Sequence, residues 1–275
     1  MTTRAQILAV TSGKGGVGKT FFSANLAAAL VRQGERVLVL DADLGLANLD
    51  VVLNLHPKIT LHDVFTGKAT LEEAILPAPG GFSVLLAGSG LVEYSRLTPQ
   101  VREQLIEIID KLAPRFDRIL IDTGAGISDV VLHAISLADD VLVIATPEPT
   151  SMTDAYATIK LLATQQERRT IRVVVNQVSA AGEGRTIRKQ LQLVVDRFVC
   201  PHLDGGKGAV VTLDLQGEIP TDPAVRDAVK RRSLLLELAP GSPAAKAVTA
   251  IAARMGVEAA SPAAPVKAQA ASRPA

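Results

Sequence analysis

Residues 13–20 read Gly13-Lys14-Gly15-Gly16-Val17-Gly18-Lys19-Thr20. The stretch fits G-x-x-x-x-G-K-[ST], with a short apolar run (6–10) directly before it and a helical pattern (20–33) directly after it. Glycines let backbone N–H groups converge on an anion, and a helix that starts just behind them adds the positive end of its dipole. In such a loop Lys19 neutralises β- and γ-phosphates, and the Thr20 hydroxyl joins a Mg²⁺ shell. The expected ligands are therefore ATP and Mg²⁺.

The same residues also spell G-x-G-x-x-G through Gly13, Gly15 and Gly18, and Asp41 closes the second apolar run. A dinucleotide-binding fold keeps its ribose-binding acid there, so an NAD-dependent oxidoreductase is the rival reading. Against it, Lys19-Thr20 has no role in a dinucleotide fold. Two further carboxylates, Asp43 and Asp122, also stand at strand ends, and Mg²⁺ takes few carboxylates together with phosphate oxygens. Asp122 after Arg118-Ile-Leu-Ile has the form of a Walker B acid, although a strand-end Asp also caps turns in any α/β protein.

Outward from the loop, apolar runs at 6–10, 37–40, 84–87, 119–121, 141–145, 172–175 and, more weakly, 217–219 alternate with helical patterns at 20–33, 99–111, 151–166 and 185–198. The runs are nearly continuous rather than alternating, as parallel strands covered on both faces are. This predicts an α/β fold: a doubly wound, mostly parallel sheet of about seven to eight strands with helices on both faces. One domain is expected over 1–257, and a disordered Ala/Pro-rich tail over 258–275.

Composition narrows the function classes. A formal net charge of +1 gives no case for bulk attraction to nucleic acid or anionic lipid. The single Cys200 excludes an internal disulfide, and the four histidines have no metal-ligand spacing. The first residues lack a signal-peptide pattern and no apolar run is long enough to span a bilayer, so a cytoplasmic protein is expected.

The residues Lys14-Gly-Gly-Val-Gly-Lys19-Thr20 resemble the deviant Walker A loop of the MinD/ParA ATPases, whose mark is a second lysine at the position of Lys14. Asp41-Ala-Asp43 through Asp50 resembles the family's switch I and Asp122-Thr-Gly-Ala-Gly126 its switch II. The segments 44–50, 122–127, 148–156 and Asp196-Arg-Phe198 read like the flagellar-number regulators of the FlhG/FleN type. The resemblance implies an ATPase that dimerises on ATP and regulates flagellar number or placement through a protein partner, a transcription activator or a flagellar GTPase. It implies that Gly13 to Thr20 hold phosphates and that Lys14 reaches the nucleotide of a partner subunit. By the same resemblance Asp43 positions the attacking water and contributes with Thr20 and Asp122 to the metal site. Asn176 would read adenine, Pro220 and Asp222 would line the base pocket, and Asp154 would lie near the dimer face.

Alternatives inside the fold are a ParA-like partitioning ATPase that binds DNA non-specifically and a nucleotide-driven metal-insertion or reductase factor; the lone Cys200 argues against the latter. Lys230-Arg231-Arg232 and Arg168-Arg169 read as solvated helix ends, so nucleic acid is an unlikely partner. Three departures stand out. Phe21 replaces a small polar residue near the α-phosphate, Gly124 replaces the usual Pro or Ala of switch II, and the N-terminal extension that stimulates a partner GTPase is expected to be missing. The pattern at 243–255, poor in cations and built from Ala, reads as a helix packed on the sheet, with weak or no intrinsic membrane binding; recruitment to membrane or cell pole would need a partner.

Overall fold

The computed structural model describes residues 4–43, 48–88 and 98–259. The expected tail therefore lies, from residue 260 onward, outside the described residues, as do residues 44–47 of the segment after Asp43. Along the first half of the chain come β1 (Gln6–Ser12), α1 (Lys19–Val31), β2 (Val37–Ala42), α2 (Leu49–Leu53), α3 (Leu61–Phe65), α4 (Leu71–Ala74), β3 (Ile75–Pro77), β4 (Ser83–Leu85), α5 (Pro99–Leu112) and β5 (Arg118–Ala125). The second half adds α6 (Asp129–Ser136), β6 (Asp140–Ala145), α7 (Pro149–Gln165), β7 (Thr170–Val178), α8 (Glu183–Phe198), β8 (Thr212–Pro220), α9 (Pro223–Lys230), α10 (Leu235–Leu238) and α11 (Pro243–Ala259).

The eight strands form one sheet in the order β3-β4-β2-β5-β1-β6-β7-β8, and every neighbouring pair is parallel except β3 with β4. Strand order reverses at β1, where β2 lies to one side beyond β5 and β6 to the other. Open α/β sheets bind ligands at the carboxyl ends of strands around such a switch point. The loop 13–18 leaves β1 at that place.

Because side chains alternate along a strand, each strand feeds two cores. Ile7, Ala9, Leu38, Leu40, Ile119, Ile121, Val141 and Val143 pack under α5, α6, α7 and α8. Leu8, Val10, Val39, Leu120, Leu142 and Ile144 pack under α1, α10 and α11. Asp41 and Asp122 follow Val39 and Leu120 by two residues, so they point to the α1 side. They are also direct register partners on β2 and β5. The sequence pattern thus delivers two carboxylates side by side, beneath the first turn of α1.

The apolar stripe of α11 faces inward as expected: Val248, Ile251, Ala252 and Met255 are all buried against α1 and β8. The helix can approach because Gly217 of β8 has no side chain; a Cβ there would meet Ile251 Cγ1 at 2.6 Å. Gly217→Ala should cost about 1–3 kcal/mol through overpacking, and Ile251→Ala about 2–4 kcal/mol through a cavity. Urea unfolding of the double variant should show less than the sum, since the new methyl occupies the space the isoleucine leaves.

Candidate active site

α1 starts at Lys19 with no side-chain cap on its N-terminus and no acidic residue in its first turn. Its leading N–H groups are therefore left for an anion. The preceding loop is held from both ends. Ser12 Oγ donates to the Lys14 carbonyl at 2.7 Å, and the Gly18 carbonyl accepts Phe22 N–H at 2.9 Å. At its start the loop touches α7 so closely that a Cβ on Gly13 would lie 2.2 Å from the Asp154 carbonyl oxygen. Asp154 thus meets the loop through its backbone.

The two lysines of this loop behave differently. Lys19 is buried, and burial lowers its pKa, with Asp122 and Asp43 pulling partly the other way. Lys14 is half exposed: its Nζ lies 2.5 Å from Glu148 Oε2 and donates to Thr150 Oγ1 at 2.9 Å, both at the start of α7. Lys19 faces inward to the carboxylates, whereas Lys14 is docked on the surface.

Around Lys19 the charge is lopsided. Asp122 is fully buried, and burial raises its pKa to about 6, against hydrogen bonds from Thr20 and Ser23 and the attraction of Lys19. Ser23 Oγ donates to Asp122 Oδ1 at 2.9 Å. Asp41 is also buried, and its pKa rises well above the usual carboxylate range through burial and then repulsion from Asp122, tempered by the N–H groups of Asp43 and Leu49. Its Oδ1 accepts Asp43 N–H at 3.1 Å; among the described residues its Oδ2 has no hydrogen-bond partner. Asp43 completes the group at the edge of the site, with Gly124 beside it: a Cβ on Gly124 would lie 3.4 Å from Asp43 Cγ. Gly124 belongs to β5, and its lack of a side chain leaves space next to Asp43.

Three carboxylates against one buried lysine, beneath an uncapped helix N-terminus, suit a divalent cation carried in with phosphates. Among the described residues no three His, Cys, Asp or Glu side chains converge as a metal cage made by protein alone. Mg²⁺ is held by one or two carboxylates together with phosphate oxygens. The orphaned buried Asp41 Oδ2, and carboxylates crowded and dried enough to be pushed towards protonation, are the observations that make Mg-nucleotide fit here.

Asn176 sits near the end of β7, half buried, and its Nδ2 donates to the Val17 carbonyl at 2.8 Å. Pro220 ends the adjacent strand β8. Asp222 is engaged as a cap: Oδ1 accepts Ala224 N–H at 2.9 Å and Oδ2 accepts Ala244 N–H at 3.0 Å, tying the starts of α9 and α11 together. Phe21 is half buried against the α1-side core. Sequence reasoning missed Ser23, which stands three residues after Thr20 on the same face of α1. It also missed Glu148 and Thr150 as the partners of Lys14, which no local signal links to it.

The fold and this site define a P-loop nucleotide hydrolase with a paired-lysine loop. The family profile for an AAA domain matches residues 5–174. The chain is 43% identical over 250 residues to the antiactivator FleN of Pseudomonas aeruginosa, covering 91% of this chain and 86% of that protein. It is 32% identical to the flagellum site-determining protein YlxH of Helicobacter pylori, covering 90% of this chain and 80% of the relative. The structure of the septum site-determining protein MinD from Pyrococcus horikoshii, solved with Mg-ADP, superposes with a TM-score of 0.72 at 28% identity, over 91% of this chain and 96% of that one. The chain belongs to the MinD/ParA family of P-loop ATPases, in its FlhG/FleN branch. It is an ATP-hydrolysing enzyme that works with Mg²⁺.

The Asp122 shift gives a pH signature in the metal- and nucleotide-free protein. With a folded pKa of about 6 against 3.8 for an unperturbed Asp carboxyl, the folded state holds an extra proton between those values. Its contribution is fully present below about pH 4 and is lost as pH rises through about 6. Unfolding free energy in EDTA should therefore fall across that window by on the order of 3 kcal/mol for this group. Asp122→Asn should flatten that part of the curve in urea titrations.

Proposed function

We propose that this chain is a Mg-ATP-dependent switch that dimerises on ATP and regulates flagellar number or placement by binding a protein partner. The observation that carries the reading is the opposed placement of two lysines from one loop: Lys19 buried among carboxylates and Lys14 docked on the surface at Glu148. An exposed ion pair of this kind is worth about 0–1 kcal/mol. A phosphate from a second subunit can therefore take Lys14 from it. The relatives' names point the same way, one an antiactivator and the other a flagellum site-determining protein. The partner fits the transcription-activator class, and the protein acts in the cytoplasm. No helix among the described residues is long and apolar enough to cross a membrane, so membrane or polar placement would come through a partner.

In this mechanism Mg-ATP supplies the scissile phosphoryl group and the cation that polarises it. The N–H groups of 13–18 and the Lys19 ammonium hold phosphate oxygens. Thr20 and Asp122, the latter steadied by Ser23, would hold the cation and its water shell. Asp43 holds and orients the attacking water, with room to move because Gly124 lacks a side chain. Lys14 crosses to the other subunit's phosphates and withdraws electron density there, in the manner of an arginine finger given in trans. Asn176 and Pro220 border the adenine, with Asp222 setting the position of the pocket wall through its two caps.

ATPase rate per enzyme should rise with protein concentration until dimers saturate. Lys14→Ala should keep nucleotide binding yet lose both the rise and the turnover, while Lys19→Ala should lose binding of a labelled ATP analogue altogether. Constant specific activity from a species that stays monomeric in ATP would remove the dimer from this account. Co-sedimentation with anionic liposomes in ATP should show weak or no binding, because α11 spends its apolar stripe on the sheet; strong binding lost on deleting 243–275 would contradict that.

A further inference from the structure

We propose that Asn176 is a positioning residue of the phosphate-binding loop, its side-chain amide clamping the Val17 carbonyl to the end of β7. The proposal rests on the nucleotide reading above and adds a second task to a residue otherwise expected to meet only the base.

The contact joins residues 159 apart in sequence, with Nδ2 to the Val17 oxygen at 2.8 Å. The other end of the amide is also engaged: Oδ1 accepts the Gln177 N–H at 2.9 Å. These two partners fix which end is which, since a flipped amide would set nitrogen against N–H and oxygen against C=O. Gln177 adopts a left-handed backbone, φ 60°, and the register of β7 with β8 shifts there. The strand thus gives up its regular path at the residue whose N–H holds Asn176.

Val17 needs such a partner. The Gly18 carbonyl enters the helical ladder through Phe22 N–H, whereas the Val17 carbonyl lies one residue too early to do so. A backbone carbonyl beside a buried side chain (Val17 is 3% exposed) requires a donor. In a trans peptide the carbonyl and the following N–H point in opposite directions. Pinning the Val17 oxygen towards β7 therefore fixes the direction of the Gly18 N–H, one of the groups that meets phosphate. Gly18 itself is doubly constrained: its φ is 94°, and a Cβ on it would lie 2.7 Å from Asn176 Nδ2. Only glycine lets the clamp close.

A primary amide has two donor hydrogens and two acceptor lone pairs, and the clamp uses one of each. The remaining pair is free to face a base. One side chain then serves both ends of the nucleotide, so that the quality of the base fit reaches the loop without passing through the phosphates.

The test separates base from phosphate by using inorganic Mg-tripolyphosphate, which has no base, beside Mg-ATP. Calorimetric affinities are compared for the full chain, Asn176→Ala and Asn176→Leu; both substitutions remove the donor without adding charge. Losing the bond and leaving a carbonyl unpaired should weaken Mg-tripolyphosphate about tenfold in both variants, and Mg-ATP at least as much. Hydrogen–deuterium exchange in the nucleotide-free protein should speed up across 15–20 and stay unchanged in β5 and β6, which shows that the fold is intact. If both variants lose Mg-ATP affinity but bind Mg-tripolyphosphate as the unaltered chain does, or if exchange across 15–20 does not change, Asn176 is a base reader alone and the clamp is overturned. Failure of the unaltered chain to bind either compound would instead overturn the nucleotide reading.

Discussion

Parallel register sets the terms for everything else at this site. Asp41 and Asp122 are direct partners on β2 and β5, and strand alternation sends both to the α1 side. Burial strips both carboxylates of hydration and drives both towards the protonated form, with repulsion from Asp122 adding to it at Asp41 and repulsion from Asp43 adding to it at Asp122. The fold answers with Lys19, with the open end of α1, and with hydroxyls from Thr20 and Ser23 on one face of that helix. These do not satisfy the whole cluster: Asp41 Oδ2 is left without a hydrogen-bond partner among the described residues. The shortfall is the site's chemistry: it calls for a cation that arrives with its own anionic ligands.

Small residues let the surrounding elements close on that charge. The loop meets α7 backbone to backbone at Gly13 and Asp154, and Lys14 reaches the same helix start at Glu148 and Thr150. A change in the loop is therefore felt first at the beginning of α7. On the far side, Asn176 ties the loop to β7, and the caps of Asp222 tie β8 to the starts of α9 and α11. The loop after β1, the ends of β7 and β8 and the last helix form one connected frame.

Much of this was legible in the sequence, for identifiable reasons. Continuous β-rich runs flanked by helical patterns gave seven strands and the doubly wound arrangement, because buried parallel strands have no polar face to disguise them. The eighth, Ile75–Pro77, is a three-residue antiparallel edge and too short to carry a period. The loop was legible because its chemistry needs fixed spacing. Ser23 could have been found from its i+3 relation to Thr20, and the capping by Asp222 from the Asp-Pro pair that opens α9. The partners of Lys14 and Asn176 could not: they lie 134 and 159 residues away, and only the sheet order brings them together.

The claim that buried negative charge at the ends of β2 and β5 is completed by a nucleotide-borne cation is tested most directly by calorimetry. ATP binding is measured with excess Mg²⁺ and again in EDTA, on the same preparation. The account predicts that affinity falls by about tenfold or more without the cation, because phosphates then face the Asp43 and Asp122 carboxylates with no cation between. Equal affinity in EDTA would contradict it.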